Sequence, residues 1–90
     1  MVKTKVKVLN EAGLHARPAS ELVKLASKFE CDFNIHYYGY KVNGKSILGV
    51  LTLAAEHESE LELEFDGPDE QEANEAVTAL FEKKFNAVGK

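Results

Sequence analysis

The chain has 90 residues, 44% of them hydrophobic, and 11 basic against 15 acidic side chains leave a net charge of −4. That length supports one compact domain with a modest core. No run approaches the ~18 apolar residues of a membrane span, the single Cys31 cannot form an internal disulfide, and an acidic total argues against non-specific nucleic-acid binding.

The opening residues alternate charge with apolar side chains and lack the apolar block of a signal peptide, so a cytoplasmic location is expected. Over residues 2–9, Val2, Thr4, Val6 and Val8 share one face of a strand, with Lys3, Lys5 and Lys7 opposite. Ala19, Leu22, Val23, Ala26 and Phe29 then recur at helical spacing, which predicts an amphipathic helix over 16–28. Cys31, Phe33, Ile35 and Tyr37 alternate with Asp32, Asn34, His36 and Tyr38 in a second strand that Gly39 ends. Tyr40 and Val42 mark a short third strand, and a short helix is expected after Ser46. Leu61, Leu63 and Phe65 alternate with Glu60, Glu62, Glu64 and Asp66 in a fourth strand. The last helix is predicted over 70–85 from Ala73, Ala76, Val77, Leu80, Phe81 and Phe85. Asp69 with Glu72 reads as its capping box, and Lys83 with Lys84 suits its C-terminal dipole.

One-sided strands imply a sheet with one dry and one wet face, hence antiparallel pairing with the helices on the dry face. The lysine row of the first strand complements the glutamate row of the last, so those two strands are expected to be neighbours. Residues 1–86 should form a single domain, with 87–90 a frayed tail.

The segment Glu11 to Ser20 joins the first strand to the first helix. Pro18 fits the first turn of a helix, which places His15 at or beside the N-cap. Orphan amides and a partial positive charge gather there and favour an anion, phosphate above all. Arg17 adds a cation able to grip two phosphoryl oxygens. The same field disfavours imidazolium, so the His15 pKa is expected below the usual imidazole value, leaving a neutral nucleophile at pH 7. A histidine serving only as a helix cap, with Arg17 solvated, satisfies the same spacing.

Ser46 follows the turn-like Asn43-Gly44-Lys45 and suits an N-cap; a phosphate there would also be favoured by the helix end. Ile47, Leu48, Val50, Leu51 and Leu53 cannot all point inward from so short a helix, so part of this set should be exposed as a docking patch. Arg17, Ser20, Lys24 and Lys28 form a polar stripe on the first helix, a basic rim suited to acidic partners. His36 and His57 lack metal-ligand spacing, and Cys31 belongs to a dry strand face. No metal site, Ser/His/Asp triad, P-loop or dinucleotide fingerprint is found.

Two stretches carry a resemblance. Gly13-Leu14-His15-Ala16-Arg17-Pro18-Ala19 resembles the active-site motif of HPr, the histidine-containing phosphocarrier family of the bacterial sugar phosphotransferase system. Lys45-Ser46-Ile47-Leu48-Gly49-Val50-Leu51 is similar to its regulatory serine motif in the Gram-positive form. The resemblance runs to about Phe85 and implies an α+β fold: a two-layer open-faced β-sandwich, βαββαβα, with four antiparallel strands in the order 1-4-2-3 covered on one face by three helices. It implies a carrier without independent turnover and without a cofactor, expected as a monomer. His15 would take a phosphoryl group on Nδ1 from phosphorylated enzyme I, ultimately from phosphoenolpyruvate, and pass it to the enzyme II A domains of sugar permeases. Arg17 would steady that group. Ser46 would be the substrate of an HPr kinase/phosphorylase, and the phosphoserine form would serve a catabolite-control repressor. Ser20, Lys24, Lys45, Ile47, Leu48 and Leu51 match the family's docking face.

Three places depart from the family pattern. Glu56-His57-Glu58-Ser59 replaces a turn that often holds Lys and Gly. Tyr37, Tyr38 and Tyr40 make the second hairpin unusually aromatic. Lys83 and Lys84 stand where relatives can offer a carboxylate, which leaves the resting partner of Arg17 open. Rival readings are a regulatory paralogue lacking the active histidine, a nitrogen-branch phosphocarrier, an acylphosphatase-like enzyme and a non-catalytic adaptor using the apolar patch.

Overall fold

The computed structural model describes residues 1–9, 13, 16–53 and 55–83. The elements are β1 (Val2–Lys7), α1 (Ala16–Ala26), β2 (Asp32–Tyr37), β3 (Tyr40–Asn43), α2 (Ile47–Leu53), β4 (Glu60–Asp66) and α3 (Glu70–Glu82). The four strands form one antiparallel sheet in the order β1-β4-β2-β3. The expected adjacency of the first and last strands is present in register: Lys3 lies opposite Glu64, Lys5 opposite Glu62 and Lys7 opposite Glu60. Opposite charges thus face one another across the ladder, which favours this register over a slip that would turn the lysines inward.

The alternating apolar residues build the core. Val6, Phe33, Ile35, Leu61, Leu63 and Phe65 line the dry face of the sheet and are buried. Ala19, Leu22 and Ala26 of α1, Val50 and Leu53 of α2, and Ala73, Val77, Leu80 and Phe81 of α3 cover them. The layer is ordered by contact: α2 lies over β3, α3 over β1 and β4, and α1 touches both other helices. Phe33 and Phe65, paired across β2 and β4, stack with ring centroids 4.7 Å apart. Thr4 on the dry side of β1 donates its hydroxyl to Asn74 Oδ1 at 2.6 Å and ties that strand to α3.

Several boundaries are shorter than the periodicity predicts. α1 ends at Ala26 because the amides of Lys28 and Phe29 turn to the carbonyls three residues back, Leu25 and Ala26. β1 stops at Lys7, since its pairing runs into a turn where Glu58 has φ +72°. β2 ends one residue earlier than expected. Tyr38 (φ +49°) and Gly39 (φ +82°) form a two-residue hairpin between paired Tyr37 and Tyr40, the type I′ geometry that needs both residues left-handed. α3 ends at Glu82, with the amide of Lys83 bonded to Ala79 O. Lys84, Phe85 and the expected tail 87–90 lie outside the described residues.

The capping box at the start of α3 is a correction. Asp69 occupies the N-cap position but its carboxylate makes no cap bond. Its oxygens instead accept the amides of Glu30 at 2.8 Å and Cys31 at 2.9 Å, some 39 residues away in sequence. Glu70 Oε1 takes the amide of Gly67, and its other oxygen meets the Met1 ammonium at 3.1 Å. The Asp69 carboxylate thus satisfies two amides of the loop before β2 in place of the amides of its own helix end.

Candidate functional site

His15, the central sequence candidate, lies outside the described residues, as do Glu11, Ala12 and Leu14. The frame on either side of it is described. α1 begins at Ala16 with no acidic residue in its first turn, so no side chain of that turn offsets the partial positive charge of the helix end. Arg17, its second residue, is exposed and makes no hydrogen bond or ion pair to another described residue. Pro18 is buried in that turn, where its missing N–H removes no helical bond. On the other side, Gly13 is buried with φ +76°, and a β-carbon there would lie 2.6 Å from Ala55 O and 3.1 Å from Glu56 Cα. Only glycine fits so close to that backbone.

The predicted stripe is exposed: Arg17, Ser20 and Lys24 of α1 face solvent, as does Lys28 in the turn beyond its end. α2 beside it divides its apolar residues sharply. Val50 and Leu53 are buried, whereas Leu48 is 75%, Ile47 40% and Leu51 36% exposed. The helix is too short to hide five large residues on one side, and the remainder stands in water as a patch next to the α1 stripe.

Ser46 caps α2. Its Oγ accepts the amide of Gly49 at 3.2 Å and its carbonyl accepts that of Val50 at 3.0 Å. The preceding turn is held by Asn43, whose carbonyl takes the Ser46 amide and whose Oδ1 takes the Lys45 amide at 2.8 Å. Lys45 is half-buried, and its ammonium donates to Phe29 O at 2.6 Å, linking the turn after α1 to the start of α2.

Sequence reading misses three polar arrangements. His36 Nε2 meets Glu64 Oε1 at 2.6 Å on the open face of the sheet. That bond, helped by Lys41 and Lys3, holds the Glu64 carboxyl below the usual carboxylate range. Both residues sit on predicted wet faces, but nothing in the sequence places them on neighbouring strands until the sheet order is known. The amides of Glu30 and then Cys31 lower the Asp69 carboxyl in the same way. Burial, reinforced by Asp69, pushes the Cys31 thiol up, which agrees with its core position and makes it a poor nucleophile. Third, Tyr37 OH and Ser59 Oγ pair at 3.2 Å. Among the described residues no three His, Cys, Asp or Glu side chains gather in a metal-binding group. No described helix is long and apolar enough to cross a membrane.

Four antiparallel strands in the order β1-β4-β2-β3 beneath three helices define the open-faced β-sandwich class. The chain belongs to the HPr family of phosphocarrier proteins of the phosphotransferase system, whose family model, "PTS HPr component phosphorylation site", matches residues 2–83. The phosphocarrier protein HPr of Treponema pallidum is 48% identical over 85 residues, covering 94% of this chain and 97% of its own. The crystal structure of HPr-C-His from Thermoanaerobacter tengcongensis superposes with a TM-score of 0.93 at 38% identity, covering 96% and 97% of the two chains. A crystal structure of Crh, a Bacillus subtilis catabolite repression protein seen as a domain-swapped dimer, matches at 42% identity and TM-score 0.75 over 93% and 97%. The expected fold class and family are therefore both borne out, and the general role is that of a phosphocarrier.

Proposed function

We propose that His15 accepts a phosphoryl group on Nδ1 from phosphorylated enzyme I and donates it to the enzyme II A domains of sugar permeases, in the cytoplasm. One observation supports this above the others. α1 starts at the residue after His15, with an exposed guanidinium at its second position and no carboxylate in its first turn. An arriving phosphoryl group meets the helix amides and Arg17, and both stabilise the negative charge that develops on its oxygens. In the transfer, the bond from phosphorus to the donor atom of enzyme I breaks as the bond to His15 Nδ1 forms; the donor keeps the electron pair of the broken bond, and the His15 ring gives up its Nε2 proton to solvent.

The docking surface is Ser20 and Lys24 of α1 with Lys45, Ile47, Leu48 and Leu51 at α2. The exposed apolar residues supply burial and the basic rim steers an acidic partner. Ser46 is the site of a second, regulatory phosphorylation by an HPr kinase/phosphorylase. Its product serves a catabolite-control repressor and, by bringing negative charge to the docking face, opposes phosphorylation at His15.

The purely regulatory paralogue is the second reading, favoured by the Crh likeness. The chain carries His15, which paralogues of that kind lack, and this favours the carrier. Incubation with enzyme I and labelled phosphoenolpyruvate decides between them. A carrier gains one acid-labile, base-stable phosphate that His15→Ala abolishes. A regulatory paralogue gains label only from ATP and kinase, at Ser46.

A further inference from the structure

The turn between α2 and β4 is built on hydroxyls. Ser59 donates its amide to Glu56 O at 2.9 Å, and its Oγ accepts the Glu56 amide at 3.0 Å. Between them Glu58 is held at φ +72°, a left-handed conformation that a non-glycine residue keeps only where its surroundings enforce it. From β2, the Tyr37 OH reaches this turn, 3.2 Å from Ser59 Oγ.

The turn in turn meets two described residues that precede His15 in the chain, Val8 and Gly13. At the entry, Val8 donates its amide to Ser59 O at 2.9 Å and accepts the Glu58 amide at 2.7 Å. Two residues before His15, buried Gly13 rests against Ala55 O and Glu56 Cα, with no room for a β-carbon between them. A shift of residues 55–59 therefore displaces the groups that meet Val8 and Gly13.

We infer that the Tyr37–Ser59 hydroxyl pair is a positioning device for the phosphoacceptor, acting through the turn that meets Val8 and Gly13. Neither residue lies on α1 or α2, the helices of the docking face. The Tyr37 ring packs against the core, while its hydroxyl reaches the turn at Ser59. Phosphoryl transfer is sensitive to the placement of the accepting nitrogen, and the loss appears in the transfer step and not in partner binding.

The inference rests on His15 being the acceptor, and the test separates the two. The full chain is used as substrate of enzyme I with phosphoenolpyruvate, and kcat, KM and the thermal midpoint are measured for Tyr37→Phe, Ser59→Ala, Ser59→Thr and the Tyr37→Phe/Ser59→Ala pair. Tyr37→Phe and Ser59→Ala are expected to lower kcat about threefold to tenfold, the range one hydrogen bond spans, with KM unchanged. The pair should lose no more than Ser59→Ala alone, and Ser59→Thr, which keeps a hydroxyl, should recover the rate. Wild-type kcat in both single variants, or a rise in KM alone, overturns the positioning role while leaving the carrier reading intact. Label retained in His15→Ala overturns the carrier reading itself.

Discussion

Ser46 carries two separable properties, and two substitutions pull them apart. Ser46→Ala removes the acceptor of the Gly49 amide, but the Val50 bond to the residue 46 carbonyl, 3.0 Å in the wild type, survives. Loss of such a cap costs about 1 kcal/mol, which in a domain of this size lowers the thermal midpoint by about 4–8 °C. Ser46→Asp keeps a capping oxygen, since aspartate is as good an N-cap as serine, so its midpoint should stay near the wild-type value. It places a negative charge directly before Ile47, at the edge of the exposed apolar patch. Against an acidic partner group about 7 Å away, the repulsion lies between about 0.6 and 2.4 kcal/mol for effective dielectric constants from about 80 down to about 20. That is about a threefold to fiftyfold fall in kcat/KM for phosphorylation by enzyme I. The assays are thermal unfolding followed by circular dichroism and steady-state phosphotransfer. The expected result is a crossover: Ala lowers stability and spares transfer, whereas Asp spares stability and lowers transfer. If Ser46→Asp is phosphorylated at the wild-type rate, the electrostatic account of antagonism is wrong. If Ser46→Ala melts with the wild type, the capping bond contributes nothing.

Two further outcomes test the fold. A β-carbon at Gly44 would lie 2.2 Å from Cδ2 of Phe33, a buried ring stacked on Phe65 that has no space to retreat. Gly44→Ala is therefore expected to cost about 1–3 kcal/mol by urea unfolding, and an unchanged midpoint would refute this packing. Glu64, Asp69 and Glu70 all have carboxyl pKa values lowered by hydrogen bonds made only in the fold. A folded pKa below the unfolded one gives stability that is complete above the ordinary carboxylate range and lost as the pH falls through the lowered values. Stability should thus be level near neutrality and decline in acid below about pH 4.5, the top of that range. Asp69→Asn should be less stable at pH 7 and show a shallower acid decline; a slope equal to the wild type's would remove Asp69 from the account.

Much of the architecture is legible because period-two alternation leaves few choices. Each strand shows a single apolar face, and the lysine and glutamate rows make β1 and β4 natural neighbours, as the register of Lys5 opposite Glu62 bears out. The exposed patch is legible by excess, since a seven-residue helix cannot bury Ile47, Leu48, Val50, Leu51 and Leu53 together. Element ends are less legible. The stop of α1 at Ala26 is set by a change of amide partner, and the end of β2 by a left-handed pair, Tyr38 and Gly39, of which only the glycine signals itself.

Local chemistry thus determined the sheet faces, the helix stripes, the cap at Ser46 and the anion-favouring start of α1, because each depends on residues within a turn or a strand of one another. Only the tertiary structure decided where long-range polar groups go. Asp69 serves the loop at Glu30 and Cys31 instead of its own helix, His36 finds Glu64 across the sheet, and Tyr37 reaches Ser59. In each case several partners of suitable chemistry exist along the chain. The choice among them follows from which backbone groups folding leaves close and unsatisfied, which no local pattern of residues encodes.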